Sequence, residues 1–166
     1  MAALFVLAVS FLLLRGLGLL GVRRLSSWRE ASLIAVVITS VFTGATHFTG
    51  IKYDYAAMLP GLLSGNLGII YLSGILEIAG AIGLLVPRTR RLAGVCLALY
   101  LVAVFPGNVY AAGNEVPFRG ASPTPLWLRT PIQLLFIGMV LWTSVGKPLD
   151  RVEAPCVEEP PPTGAV

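Results

Sequence analysis

The sequence predicts an all-α fold, a polytopic membrane helical bundle. Three observations carry this. Charged residues make up 12% of the 166-residue chain and hydrophobic residues 56%, whereas a soluble domain carries about a quarter charged residues. Five apolar segments approach or reach the roughly 20 residues a helix needs to cross a bilayer's hydrocarbon core. The basic residues sit in short clusters between those segments, as membrane topology determinants do. A mean hydropathy of +0.83 agrees. The expected bundle covers residues 1–148. The tail, 149–166, is Pro-rich and acidic, a composition that predicts disorder.

The expected spans are about 2–22, 31–48, 66–86, 92–112 and 128–146. The first is interrupted by Arg15. No basic residue precedes its apolar run, and Arg23, Arg24 and Arg29 follow it, the reverse of a secretory leader. It is therefore read as a span, with an interfacial helix as the alternative, because an arginine weakens insertion. The second span is uncharged and ends at His47. The connection after it, 49–65, is apolar but broken by Pro60 and Gly61, which predicts an interfacial or re-entrant cap. The third span carries Glu77 near its middle. The fourth is uncharged and contains Pro106 and Asn108, and the fifth starts with Arg129. With five spans, eight Lys and Arg fall on one side and three on the other. The positive-inside rule then puts the N-terminus outside and the C-terminus in the cytoplasm.

The net charge of +4 comes without a basic stripe or interleaved aromatics, so nucleic acid is not an expected partner. The lipid bilayer is. Cys96 lies in an apolar run and Cys156 in the tail, with no CxxC pair to make a dithiol or a zinc knuckle. His47 is the only histidine and has no cysteine or carboxylate at ligand spacing, so no metal is expected. Gly16-Leu-Gly18-Leu-Leu-Gly21 matches GxGxxG in letters. That fingerprint binds a dinucleotide only after a strand, and here it sits in an apolar helix, where glycines serve close packing.

Glu77 is the most informative residue. A carboxylate inside a span must face the bundle and find a partner or a proton. Ser73 lies one turn away on its face. The expected heights of His47, Tyr71, Ser73, Asn108, Arg129 and Gln133 coincide at the outer ends of four spans, with Glu77 as the floor. These seven residues predict a polar pocket open toward the periplasmic or extracellular side, since polar groups in bundles face inward. Pro106 removes a backbone donor and predicts a kink or break beside Asn108. Arg15 has two courses, snorkelling to the nearby interface or pairing with Glu77.

Several stretches carry a family resemblance. They are Gly44-Ala-Thr-His-Phe48, Met58-Leu-Pro60, Tyr71-Leu-Ser-Gly-Ile-Leu-Glu77, Gly83-Leu-Leu-Val-Pro-Arg-Thr-Arg-Arg91, Phe105-Pro-Gly-Asn108 and Leu128-Arg-Thr-Pro-Ile-Gln133. In order and spacing they resemble the DoxX and DoxX-like family of small bacterial membrane proteins. The resemblance implies a four-helix core over spans two to five, with the first span as an extra N-terminal transmembrane helix. It also implies location in a bacterial inner membrane. Some members of that family are linked to thiosulfate:quinone oxidoreduction and others to redox or envelope membrane complexes.

No haem-ligand pair, flavin motif or nicotinamide motif is evident, so the expected role is accessory rather than enzymatic. The chain would bind a quinone, a lipid or a partner protein in the outward pocket. The alternatives are a membrane subunit of a quinone-linked oxidoreductase and a small proton-coupled transporter.

Overall fold

The computed structural model describes residues 2–22 and 25–145. Arg23, Arg24, Lys147 and the tail 149–166, with Arg151 and Cys156, lie outside the described residues. The long helices are α1 (Ala2–Leu19), α2 (Trp28–Thr46), α4 (Leu67–Leu85), α5 (Arg90–Gly113) and α6 (Leu126–Val145). A short helix, α3 (Lys52–Ala57), and a 3-10 turn (Gly61–Leu63) lie between α2 and α4. Four of the long helices, α1, α4, α5 and α6, are long and apolar enough to cross a membrane, which supports a multi-pass membrane protein. Their outward faces carry large apolar side chains, among them Phe5, Leu12, Leu72, Ile75, Leu99 and Leu134. A helix apolar all round belongs in lipid or in a core.

The helix limits follow local chemistry. α2 begins before its apolar run because Trp28, Arg29 and Glu30 form its first turn. There Glu30 complements the positive end of the helix dipole and bonds Arg90 at 3.3 Å. The Asn66 side chain caps α4 by accepting from Ile69 N–H at 3.3 Å. Thr89, just before α5, donates back to the Gly83 carbonyl at 3.0 Å and so ties α5 to the end of α4. Of the kink or break expected at Pro106, the break is absent, and α5 runs through that residue as one continuous helix.

Helices α2, α4, α5 and α6 form a ring, each packed on its neighbours, and α1 lies chiefly against α2. Helix α2 is the best-buried element, with Ala31, Ala35, Val36 and Thr39 almost fully enclosed. The core continues through Leu33, Leu84, Leu97 and Val140.

Small residues set the closest approaches. A Cβ on Gly74 would lie 2.7 Å from His47 Cβ, and one on Gly44 would lie 2.7 Å from Ile78 Cγ1, so α2 and α4 cross glycine to glycine. At the other end a Cβ on Gly83 would lie 2.6 Å from Ala93 Cβ, and one on Gly94 would overlap Ser144. In the GxGxxG run, Gly18 packs against the Leu25 carbonyl and Gly21, at φ +108°, turns the chain after α1. Its first two glycines lie inside helix α1 rather than in a turn from strand to helix, so they do not form a dinucleotide loop.

Candidate functional site

A cavity of about 480 Å³ opens at the α3 end of the ring. Helix α2 brings Thr43 and His47, α4 brings Ser73 and Glu77, α5 brings Tyr100 and Asn108, and α6 brings Gln133. The segment between α2 and α4 covers them with Tyr55, Met58, Leu59 and Pro60. Ala3 of α1 also reaches the wall. The connection 49–65 provides this cover with a short helix and a 3-10 turn.

Glu77 sits at the α2–α4 crossing and is 7% exposed. Its Oε1 is hydrogen-bonded to the Thr43 hydroxyl. That hydroxyl also lies 2.9 Å from the Thr39 carbonyl of its own helix. One hydroxyl proton cannot serve both acceptors, so a carboxylate on Glu77 competes with the helix carbonyl. A protonated Glu77 instead donates to Thr43, which then donates to Thr39. Glu77 Oε2 has His47 Nδ1 at 4.0 Å, beyond hydrogen-bond range.

His47 Nδ1 lies 3.0 Å from the Thr43 carbonyl. A carbonyl only accepts, so Nδ1 carries the proton and Nε2 of the neutral ring is an acceptor. The imidazole stacks on Tyr55, with centroids 4.6 Å apart and planes 13° apart. Thr46 donates its own proton to the Thr43 carbonyl, so the Tyr55 hydroxyl is the donor in its 3.0 Å contact with Thr46 Oγ1. Burial pushes the Tyr55 hydroxyl above the ordinary phenol value and keeps it a neutral donor. Phe118, held in a tight turn by Arg119 (φ 55°) and Gly120 (φ 74°), packs on Tyr55 at 5.4 Å.

Between α4 and α5, Ser73 Oγ and the Tyr100 hydroxyl are 3.0 Å apart. Gln133 Nε2 donates to the Leu101 carbonyl at 2.6 Å, cross-linking α6 to α5 near Pro106.

Five of the seven residues predicted for the pocket line this cavity: His47, Ser73, Glu77, Asn108 and Gln133. Arg129 does not line it, but its Nη1 donates to Asn108 Oδ1 at 3.0 Å and its Nε to the Thr124 carbonyl at 2.8 Å, fixing the Asn108 amide. Tyr71 does not line it either. Its hydroxyl accepts from Lys52 Nζ at 2.8 Å and its ring stacks on Phe48. That hydrogen bond raises the Lys52 ammonium above its ordinary value. Tyr71 is six residues from Glu77, about a third of a turn off its face, so its place toward the α3 end of α4 does not turn it into the cavity.

The residues that sequence reasoning did not assign to the pocket are Thr43, Tyr55 and Tyr100. The signal for Tyr100 was available, because Tyr100, Val104 and Asn108 repeat every fourth position and share a face. All three line the cavity.

The Arg15–Glu77 pair is not formed. Arg15 Nη1 donates to the Ser26 carbonyl at 2.6 Å, and its guanidinium covers the Trp28 ring at 4.7 Å. It takes the shorter course to its own end of the bundle, where carbonyls and an aromatic face satisfy it more cheaply than a buried ion pair would. Arg15→Gln and Glu77→Gln are therefore expected to add within about 0.5 kcal/mol in a double-mutant cycle read by thermal melts. A larger coupling energy would contradict this placement.

No curated protein and no solved structure matches the chain. A family model does match, over residues 33–144, which covers most of α2, all of α4 and α5, nearly all of α6 and the whole cavity lining except Ala3. The chain belongs to that family, described as Domain of unknown function (DUF8561).

Proposed function

We propose that the protein is a membrane module that holds a small amphipathic molecule, a quinone or a lipid. The polar headgroup sits in the cavity at the α3 end and the apolar remainder lies along its walls. One observation carries the reading. Polar side chains from four helices converge on one cavity whose remaining walls are apolar. Ligand sites pair a mostly apolar lining with a few placed polar groups in this way.

In this reading α2 is a fifth span. The cavity and the N-terminus face outward from a bacterial inner membrane, and the C-terminal end is cytoplasmic. The distribution of Lys and Arg supports that orientation. Kinship with the DoxX-like proteins rests on the sequence stretches quoted above. A ring of α2, α4, α5 and α6, with α1 laid against α2, suits a four-helix core plus one added helix. The role is accessory, within a redox or envelope membrane complex.

Native mass spectrometry in mild detergent tests the binding. Wild type is expected to retain a quinone-sized or lipid-sized adduct that Glu77→Gln and His47→Ala both lose. No adduct in any form, or one indifferent to both substitutions, would reduce the polar groups to structural clamps.

A small proton-coupled transporter is the second reading. It is favoured by one feature, the approach of His47 Nδ1 to Glu77 Oε2 at 4.0 Å beside an accessible cavity. Glu77-dependent proton flux in vesicles would select it over the first.

A further inference from the structure

We propose that the molecule held in the cavity is an amphipathic cation, a lipophilic amine or a quaternary ammonium or phosphonium ion, with Glu77 as its counter-charge. The inference rests on the reading of the cavity as a site for a small amphipathic molecule and gives that molecule a positive charge in place of a quinone's neutral headgroup.

The argument starts from the charges around the cavity. Among the described residues that line it, Glu77 is the sole Asp, Glu, Lys or Arg. Two nearby cations are committed elsewhere, and a third, Arg119, lies near enough to Tyr55 for its charge to act on that hydroxyl. Lys52 bonds Tyr71, and Arg129 bonds Asn108 and the Thr124 carbonyl. The Nδ1 proton of His47 is directed at the Thr43 carbonyl. Glu77 Oε1 is met by Thr43, but Oε2 takes no hydrogen bond from the described residues and borders the cavity. A carboxylate enclosed by apolar walls is costly until a cation pairs with it. With a neutral headgroup Glu77 keeps its proton and its charge goes unused, and an anionic headgroup opposes the carboxylate.

The walls suit the rest of such a ligand. Tyr55, Tyr100 and Phe136 bring three aromatic rings to the lining, and ring faces attract cations as well as apolar groups. The volume of about 480 Å³ falls within the range of small-molecule sites. The Thr39–Thr43–Glu77 chain supplies a resting state. With the cavity empty, Glu77 keeps a proton and donates it to Thr43. An entering cation takes that proton's place as the positive partner, and the proton leaves to water.

Equilibrium dialysis of the purified full chain in a non-ionic detergent tests this with two probes, tetraphenylphosphonium and neutral decylubiquinone. Wild type is expected to bind tetraphenylphosphonium. Glu77→Gln is expected to weaken that binding at least about tenfold, as loss of a desolvated charge partner does. Glu77→Asp should retain part of it. Tyr55→Leu, which keeps the charge, should weaken cation binding about fivefold, and this holds the test open should the Glu77 variants not stay monodisperse.

Equal affinity in wild type and Glu77→Gln overturns the proposal. So does binding of decylubiquinone without tetraphenylphosphonium, an outcome that leaves the cavity a ligand site. Binding of neither probe overturns both readings.

Discussion

Gly74→Val is expected to lower stability by about 3 kcal/mol and to abolish ligand retention, because the new side chain has nowhere to go. Its Cβ would lie 2.7 Å from His47 Cβ, 2.9 Å from the Gly44 carbonyl oxygen and 2.9 Å from Phe48 Cε2. Two of these atoms are held by backbone, so the strain cannot be relieved by turning a flexible side chain. Helices α2 and α4 must part. His47 and Glu77, on either side of the crossing, would part with them. Gly138 offers the contrast, since a Cβ there meets nothing within 4 Å. Gly138→Ala should be neutral or stabilising by up to about 1 kcal/mol, the difference in helix propensity. Thermal melts with light-scattering detection in detergent would check both. A Gly74→Val melt within a degree of wild type would contradict the glycine crossing.

Thr43→Val is the second substitution with a large expected effect. Valine keeps the shape and removes the hydroxyl, leaving Glu77 Oε1 buried without its hydrogen-bond partner. The expected cost is about 1–3 kcal/mol, the range for orphaning a buried polar group. Much of that cost belongs to Glu77 rather than to threonine. Pairing Thr43→Val with Glu77→Leu should therefore cost less than the sum of the two single substitutions, a coupling of about 1 kcal/mol or more. Strict additivity would mean that the hydroxyl serves only the Thr39 carbonyl of its own helix.

The helices were legible because hydropathy and helix length are local properties. The expected segments 66–86 and 92–112 differ from α4 (Leu67–Leu85) and α5 (Arg90–Gly113) by one or two residues at each end. One larger difference is at the end of α1, which stops at Leu19 short of the expected residue 22, and another arises where charged residues continue a helix beyond its apolar run. Trp28, Arg29 and Glu30 do this in α2, helped by a partner, Arg90, that is distant in sequence.

The site was legible where depth and helix face agreed, as for Ser73 and Glu77 four residues apart. It was misread at Tyr71, where depth alone was used. It was missed at Tyr55, because only the fold of the connection 49–65 turns that ring onto His47. Arg129 is a third kind of case, since its contribution is a hydrogen bond that orients a residue of the lining rather than a place in the lining itself.

The small-residue contacts at the end away from α3 have a mechanical consequence. There Gly83 meets Ala93 and Gly94 meets Ser144, so α4, α5 and α6 are pressed together with little room to slide. At the α3 end the same helices stand around an open volume, bridged by single hydrogen bonds such as Ser73–Tyr100 and Gln133–Leu101. The bundle is built like tongs with a fixed pivot, although at the open end Gly74 still holds α4 against Gly44 of α2. Any change in the width of the cavity is leverage about that pivot, and it is felt at the capping segment that carries Tyr55 long before it reaches the opposite face.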